Sequence, residues 1–267
     1  AVMSRLASSK AVQLGLVQAQ NDMAPLPERS LKLHTPVALN VSAGDFYWPG
    51  AYLDADAPAF DLPSSIAGQA SRQAASLREG SNDYLIIRSS SDRERKLAAR
   101  HIACKLCRLA LFIEDRDKAL VALGPMCRLR KLLPVFQYEC GPGDQVKLPA
   151  VLGYEGPVLV LAGQDGAFES PRGRVTGWSI PVPTPHERKI LWEAHLGNSE
   201  LAGLLASDHV HGADRIVELA GLARRQALIG EKASVGIDEI REAAWLRENK
   251  GFTSLAQPVK SKITDKA

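Results

Sequence analysis

The sequence predicts an α/β fold, a parallel sheet with helices on both faces, followed by a small all-α unit. Three observations carry that expectation. From Tyr84 to Pro183, short apolar runs of strand length alternate with longer amphipathic stretches, and strands that alternate with helices build a parallel, helix-covered sheet. After Pro183 the strand signals stop, and each periodic segment opens on a capping or acidic residue, as helices do. Finally, 45% of the 267 residues are hydrophobic and the net charge is only +3. That is enough to bury the core of one or two domains, with no charge excess that demands a nucleic-acid or membrane partner.

Residues 1–81 read as an irregular flank or the end of an N-terminal domain. A short helix is expected near SKAVQLGLVQAQ, before segments rich in Pro, Asp, Ala and Gly. Phe46, Tyr47, Trp48 and Tyr52 are expected to pack against the following domain, because a flank without its own periodic core needs an apolar anchor. The α/β domain spans 82–183 and opens on strand YLIIR, Tyr84 to Arg88. In the helix ERKLAARHIACKLC, Leu97, Ala98, Ile102, Cys104 and Leu106 cover a broad apolar face, while Arg93, Arg95, Arg100 and Lys105 point away. Strand LALFIED, helix KALVALGPMCRLRKLL, strand LPVFQYE, the helical or looped GDQVKLPAVLGY, strand PVLVLAG and strand RVTGWSIPVP complete it. The all-α unit, 184–256, reads as three helices, TPHERKILWEAHL, GADRIVELAGLARRQALI and GIDEIREAAWLREN. The first opens on a capping box, Thr184 with Glu187. Residues 257–267 are polar and read as a linker to a further C-terminal region.

No apolar run reaches the roughly 18 residues of a membrane span, and the first twenty residues are too polar for a secretory signal. A cytoplasmic protein is expected. Cys104, Cys107, Cys127 and Cys140 lie in expected core elements and read as reduced, buried thiols. Cys104 and Cys107 form a C-x-x-C in mid-helix with no second Cys/His pair near in sequence. His209 and His211 read as a loop feature at a helix start, and no metal site is expected.

The stretch RSSSDRERKL, residues 88 to 97, sits between a strand and a helix, where a phosphate-binding loop would sit. A G-x-x-x-x-G-K-[ST] loop needs glycines to curl its N–H groups around the phosphates, Lys for the β/γ-phosphates and a hydroxyl for Mg²⁺. With Lys96 on the lysine, Ser90 and Arg95 hold the glycine positions and Leu97 the hydroxyl position. Only the lysine survives, and Lys96 reads better as part of a solvated basic turn at a helix start.

The order of elements, the joint IPVPTPHERKILWEAHL and the helical end together resemble the AAA+ ATPases of the P-loop NTPase class. Pro183, Glu187, Arg188, Ile190, Leu191 and Trp192 fit the P-x-x-x-E-R-x-x-[IL]-[WL] segment that opens the family's helical lid. Gly212, Ile216, Leu219 and Ala223 fit a later lid helix. The glycine-poor first loop, the lid ending IREAAWLRENKGFTSLAQPV and the lysine-rich exit resemble, more narrowly, the degenerate first module of tandem AAA+ proteins found with contractile injection systems.

The resemblance implies a parent ATPase using ATP or ADP with Mg²⁺, and a ring oligomer, expected to be hexameric, that acts on a protein substrate. Carried over residue by residue, Glu139 falls on the acid that polarises water, with Tyr138 where Mg²⁺ needs a carboxylate. Gln164 falls near the γ-phosphate sensor, and Arg215 on the lid's sensor arginine. With the glycine cradle, the Mg²⁺ hydroxyl and the Mg²⁺ carboxylate all missing, this chain is expected not to hydrolyse ATP. Its retained asset is then shape, as a scaffold or regulator. Arg188 and Trp192, four apart on one helix, are expected to form an interface with neighbouring modules, and Trp192 reads equally as a plug that packs the lid onto the sheet. Two alternatives stand beside this: an active ATPase with an atypical loop that depends on Lys96, and a nucleic-acid binding module using RERK and RLRK. The small net charge and the lack of interleaved aromatics weigh against the second.

Overall fold

The computed structural model describes residues 8–20, 30–42, 46–53, 60–79, 83–232 and 234–248. The expected linker at 257–267 and the last residues of the lid lie outside them. The chain divides into two compact units after Pro181.

The first unit is built on a six-stranded sheet. Its strands are β3 (Ala51–Leu53), β4 (Tyr84–Arg88), β5 (Leu109–Ile113), β6 (Leu132–Tyr138), β8 (Val158–Ala162) and β10 (Val175–Ser179), in the spatial order β10-β4-β8-β6-β5-β3. Every pairing is parallel except β3 with β5. β4 shows how the sequence fixes the two layers. Tyr84 and Ile86 enter one core cluster and Leu85 and Ile87 the other, because successive side chains of a strand point to opposite faces. Helices α3 (Ser64–Glu79) and α4 (Asp92–Lys105) cover the second face through Ile66, Ala70, Ala74, Ala98 and Ile102, while α6 (Leu123–Leu129) covers the first through Leu123, Met126 and Cys127.

The N-terminal flank is more ordered than its composition suggests. Two short pieces, α1 (Lys10–Gln13) and α2 (Thr35–Ser42), accompany a two-stranded sheet of β1 (Val17–Ala19) and β2 (Leu31–Leu33). The 16-residue α3 falls in the stretch read as irregular, and its apolar positions are mostly alanine, which gives a faint periodic signal. The aromatic anchors are real. Trp48 is buried and donates Nε1–H to the Ala119 carbonyl at 2.8 Å, and Tyr52 stacks on Phe112 at 5.5 Å, while Tyr47 stays exposed.

The expected single helix from Lys118 breaks into α5 (Arg116–Ala119) and α6, because Ala122 adopts a left-handed conformation. Of the four cysteines only Cys127 is buried. Cys104 and Cys107 are exposed and Cys140 is intermediate, so the expectation of uniformly buried thiols fails. α4 turns its alanines inward and so leaves Cys104 outside.

Among the described residues the second unit packs four helices: α7 (Pro185–Leu196), α8 (Ser199–Asp208), α9 (Ala213–Ile229) and α10 (Ile237–Glu248). The capping box is present, with Thr184 Oγ1 accepting from Glu187 N–H and Glu187 Oε2 accepting from Thr184 N–H. α8 is absent from the sequence reading, although Asn198 caps it through Leu201 N–H at 3.0 Å. Among the described residues, no helix is long and apolar enough to cross a membrane.

Candidate functional site

Loops at the carboxyl ends of parallel strands form the crevice in which such sheets bind ligands. Here those loops follow β4, β6 and β8. β4 ends at Arg88, and only Ser89, Ser90 and Ser91 separate it from α4. Ser91 caps the helix by accepting Glu94 N–H at 3.2 Å. Ser89 Oγ donates to Glu94 Oε2 at 2.8 Å and accepts Ser91 N–H at 3.1 Å. The turn is thus closed by its own side chains. Two carboxylates, Asp92 and Glu94, occupy the first turn of α4, where the helix dipole favours negative charge.

Arg95 is not solvent-facing as its sequence neighbourhood suggests. It lies three, four and seven residues before the buried Ala98, Ala99 and Ile102, so the helical period places it on their face. Its Nη2 bridges Asp92 Oδ1 at 3.3 Å and Glu139 Oε1 at 3.0 Å. The arginine side chain is 5% exposed and the Glu139 side chain 85%. Lys96 is a full turn into the helix and not at its mouth. Its Nζ lies 2.9 Å from Asp92 Oδ2 and 6.0 Å from the Tyr52 ring centroid. Burial alone would lower its pKa, but Asp92 and Tyr52 outweigh it and hold the ammonium above the ordinary lysine value.

The ends of β6 and β8 carry a second arrangement. Arg88 Nη1 donates to the carbonyls of Gly163, Gln164 and Asp165 at 3.1, 3.1 and 2.8 Å, and Nη2 to that of Gly166 at 2.6 Å. Its guanidinium sits 5.4 Å from the centre of the Phe168 ring, which meets Tyr138 edge-on at 5.7 Å. Arg116 lies 4.9 Å from the Tyr138 ring centre and donates to its hydroxyl at 3.2 Å. Two arginines therefore flank two aromatic rings that meet edge to face, in one continuous cluster. Burial raises the Tyr138 phenol pKa, and Arg116 offsets part of that rise.

Two short strands follow the same two strand ends. β7 (Gln145–Lys147), after β6, pairs in parallel with β9 (Ala167–Glu169), after β8. Gly166 allows the residues that follow β6 and β8 to approach closely. It has φ +88°, and a Cβ there would stand 2.6 Å from Cys140 Cβ.

The expected site residues divide accordingly. Lys96 and Glu139 belong to one network, Lys96–Asp92–Arg95–Glu139. Gln164 is exposed and joins the Arg88 cluster through its backbone carbonyl. Arg215 lies in the second unit, 3.9 Å from Glu218. Arg188 and Trp192 are corrected: both are buried within the lid. Arg188 donates from Nε and Nη2 to the Ala206 carbonyl at 3.1 and 2.8 Å, in the last turn of α8, and from Nη1 to the Pro183 carbonyl at 2.8 Å. A cation suits the carbonyl end of a helix, so this arginine is structural. Trp192 is 0% exposed at the centre of the lid core, while Ile190, two residues before it, is 52% exposed. Sequence reasoning missed Arg88, Arg95 and Arg116 as the charges that organise the crevice. The available signal was an arginine closing an otherwise apolar strand.

By sequence, no family profile and no curated protein matches this chain. By structure it is similar to the FIGL-1 AAA domain, with a TM-score of 0.52 over 80% of this chain and 89% of that one, at 12% identity. Other matches include the Aeropyrum pernix ORC2 protein in ADPNP–ADP complexes (TM-score 0.45, 10% identity, 76% of this chain and 72% of that) and a point mutant of Thermotoga maritima RuvB (TM-score 0.38, 13% identity, 68% of each). The chain has the AAA+ type of P-loop fold, a mostly parallel sheet between helices followed by a helical lid.

Proposed function

We propose that this chain is a non-hydrolysing AAA+ module that scaffolds or regulates a larger ATP-dependent remodelling ATPase. The observation that carries it is the pair of arginine-centred networks filling the carboxyl edge of the sheet. Magnesium requires oxygen ligands in near-octahedral array. The strand end that would supply a carboxylate holds Tyr138, with the Arg116 guanidinium against its ring and hydroxyl. A triphosphate requires free N–H groups and cations. The mouth of α4 offers instead Asp92 and Glu94, and Arg95 and Lys96 are engaged by carboxylates of the chain itself.

These residues do not fit magnesium and a nucleoside triphosphate. One carboxylate about 4 Å from a phosphate oxygen costs about 4 kcal/mol at an effective dielectric of 20, on the order of a thousandfold in affinity. Phosphoryl transfer depends on positioning and charge neutralisation, so Glu139 has no metal-bound phosphate to act upon. A fold persists when its chemistry is lost. Partnership with AAA+ modules in a hexameric ring, and the setting of a contractile injection system, rest on the resemblance of the first loop, the lid and its exit. Phosphate release from ATP by the isolated chain is expected to equal the buffer rate. Turnover that disappears in Lys96→Ala would establish an active ATPase instead.

A further inference from the structure

A groove on the first unit, remote in sequence from the loops just described, has the composition of a peptide-docking site. It is lined by Leu14, Pro125, Arg128, Leu129 and Gly153 and measures about 410 Å³. One wall is held by close backbone approach, and glycines elsewhere pack directly against side chains. A Cβ on Gly124 would fall 1.9 Å from the Leu152 carbonyl oxygen, which locks α6 against the loop at 152–154. A Cβ on Gly153 would fall 2.8 Å from Leu14 Cδ2, and one on Gly15 would fall 3.0 Å from Val121 Cγ1. The groove is therefore preformed, and its rim displays large apolar side chains to solvent, with Leu129 63% and Leu152 53% exposed. Contiguous exposed apolar surface with a polar border marks interaction sites.

The charged side chain that lines the groove is Arg128. Arg130 and Lys131 follow it within three residues with no acid between them, and the stretch that includes Gly153, Leu148 to Tyr154, carries no charge. We propose that this groove docks a short acidic, leucine-type amphipathic segment of a partner protein. Its apolar side chains enter between Leu14, Pro125 and Leu129, and its carboxylates face Arg128 and Lys131. Charge complementarity selects this occupant over groove-to-groove pairing of two copies, in which Arg128 would face its own like charge. It also selects it over a nucleic acid, which would leave the leucines uncovered. The inference is independent of whether the nucleotide crevice is closed.

The test is panning of a random 12-residue peptide display library against the full chain. Each round is counter-selected on the double variant Arg128→Glu/Leu129→Ser, whose positions are exposed and whose thermal unfolding should match the parent's. Enriched peptides are expected to combine Asp or Glu with Leu, Ile or Phe, and to bind the double variant at least tenfold more weakly in fluorescence anisotropy, with further weakening at high salt. Four outcomes would overturn the proposal: no enrichment over the double variant, enriched peptides lacking that pattern or binding the variant equally, tight binding of a dT20 or U20 oligonucleotide that Arg128→Glu abolishes, or a concentration-dependent dimer in sedimentation velocity that Leu129→Ser dissolves.

Discussion

Replacing Trp192 with alanine separates an interface residue from a core residue. The indole is fully buried among Leu201, Leu205, Ile216, Leu219 and Ile240. Phe/Trp→Ala at such positions costs about 3–5 kcal/mol, and each kcal/mol moves the melting temperature by about 4–8 °C in a domain of 60–100 residues. The lid transition should therefore fall by on the order of 10 °C or more. Among the described residues Trp192 Nε1 has no hydrogen-bond partner, so Trp192→Phe gives up packing alone and should lose much less. Differential scanning calorimetry gives the melting temperatures, and hydrogen exchange on α9 peptides localises the loss to the lid. Unchanged melting and exchange in Trp192→Ala, with altered assembly of the parent complex, would refute the placement of this side chain.

Arg188→Ala should lower lid stability by about 2–3 kcal/mol, since it removes charged donors from two buried carbonyls. Arg188→Lys should not restore it, since one ammonium cannot reproduce the planar fork; chemical denaturation measures both. Gly124→Ala should destabilise the first unit by roughly 1–3 kcal/mol despite alanine's better helix propensity, because the added methyl meets the Leu152 backbone. Burial pushes the Cys127 thiol up from 9.0 to about 12. Its neutral form is favoured by folding, so that contribution is intact below pH 9 and is lost as pH rises towards 12. Native iodoacetamide labelling near pH 8, read by mass spectrometry, should modify the exposed Cys104 and Cys107 and spare Cys127 until the chain is unfolded.

Period and capping made much of this fold legible. YLIIR is β4 to the residue, and Thr184 with Glu187 forms the expected box. What failed was less local. α3 is concealed by an alanine-rich face, and the break at Ala122 depends on tertiary packing. The inward turn of Arg95 becomes intelligible only when Glu139, brought in by another strand, supplies its counter-charge. The crevice was half legible. RSSSDRERKL visibly holds no glycine, but the cluster beside it depends on Arg88, Phe168, Tyr138 and Arg116 meeting from four separate segments. For Trp192 the sequence leaves interface and core both open, because four-residue spacing identifies a shared face without saying which way that face points.

Isothermal titration of the isolated chain with ATP and Mg²⁺ is the most direct measurement of the central claim, that the carboxyl edge of this sheet is closed by its own side chains. No saturable heat is expected up to millimolar nucleotide. Stoichiometric binding in the micromolar range that Lys96→Ala abolishes would contradict it.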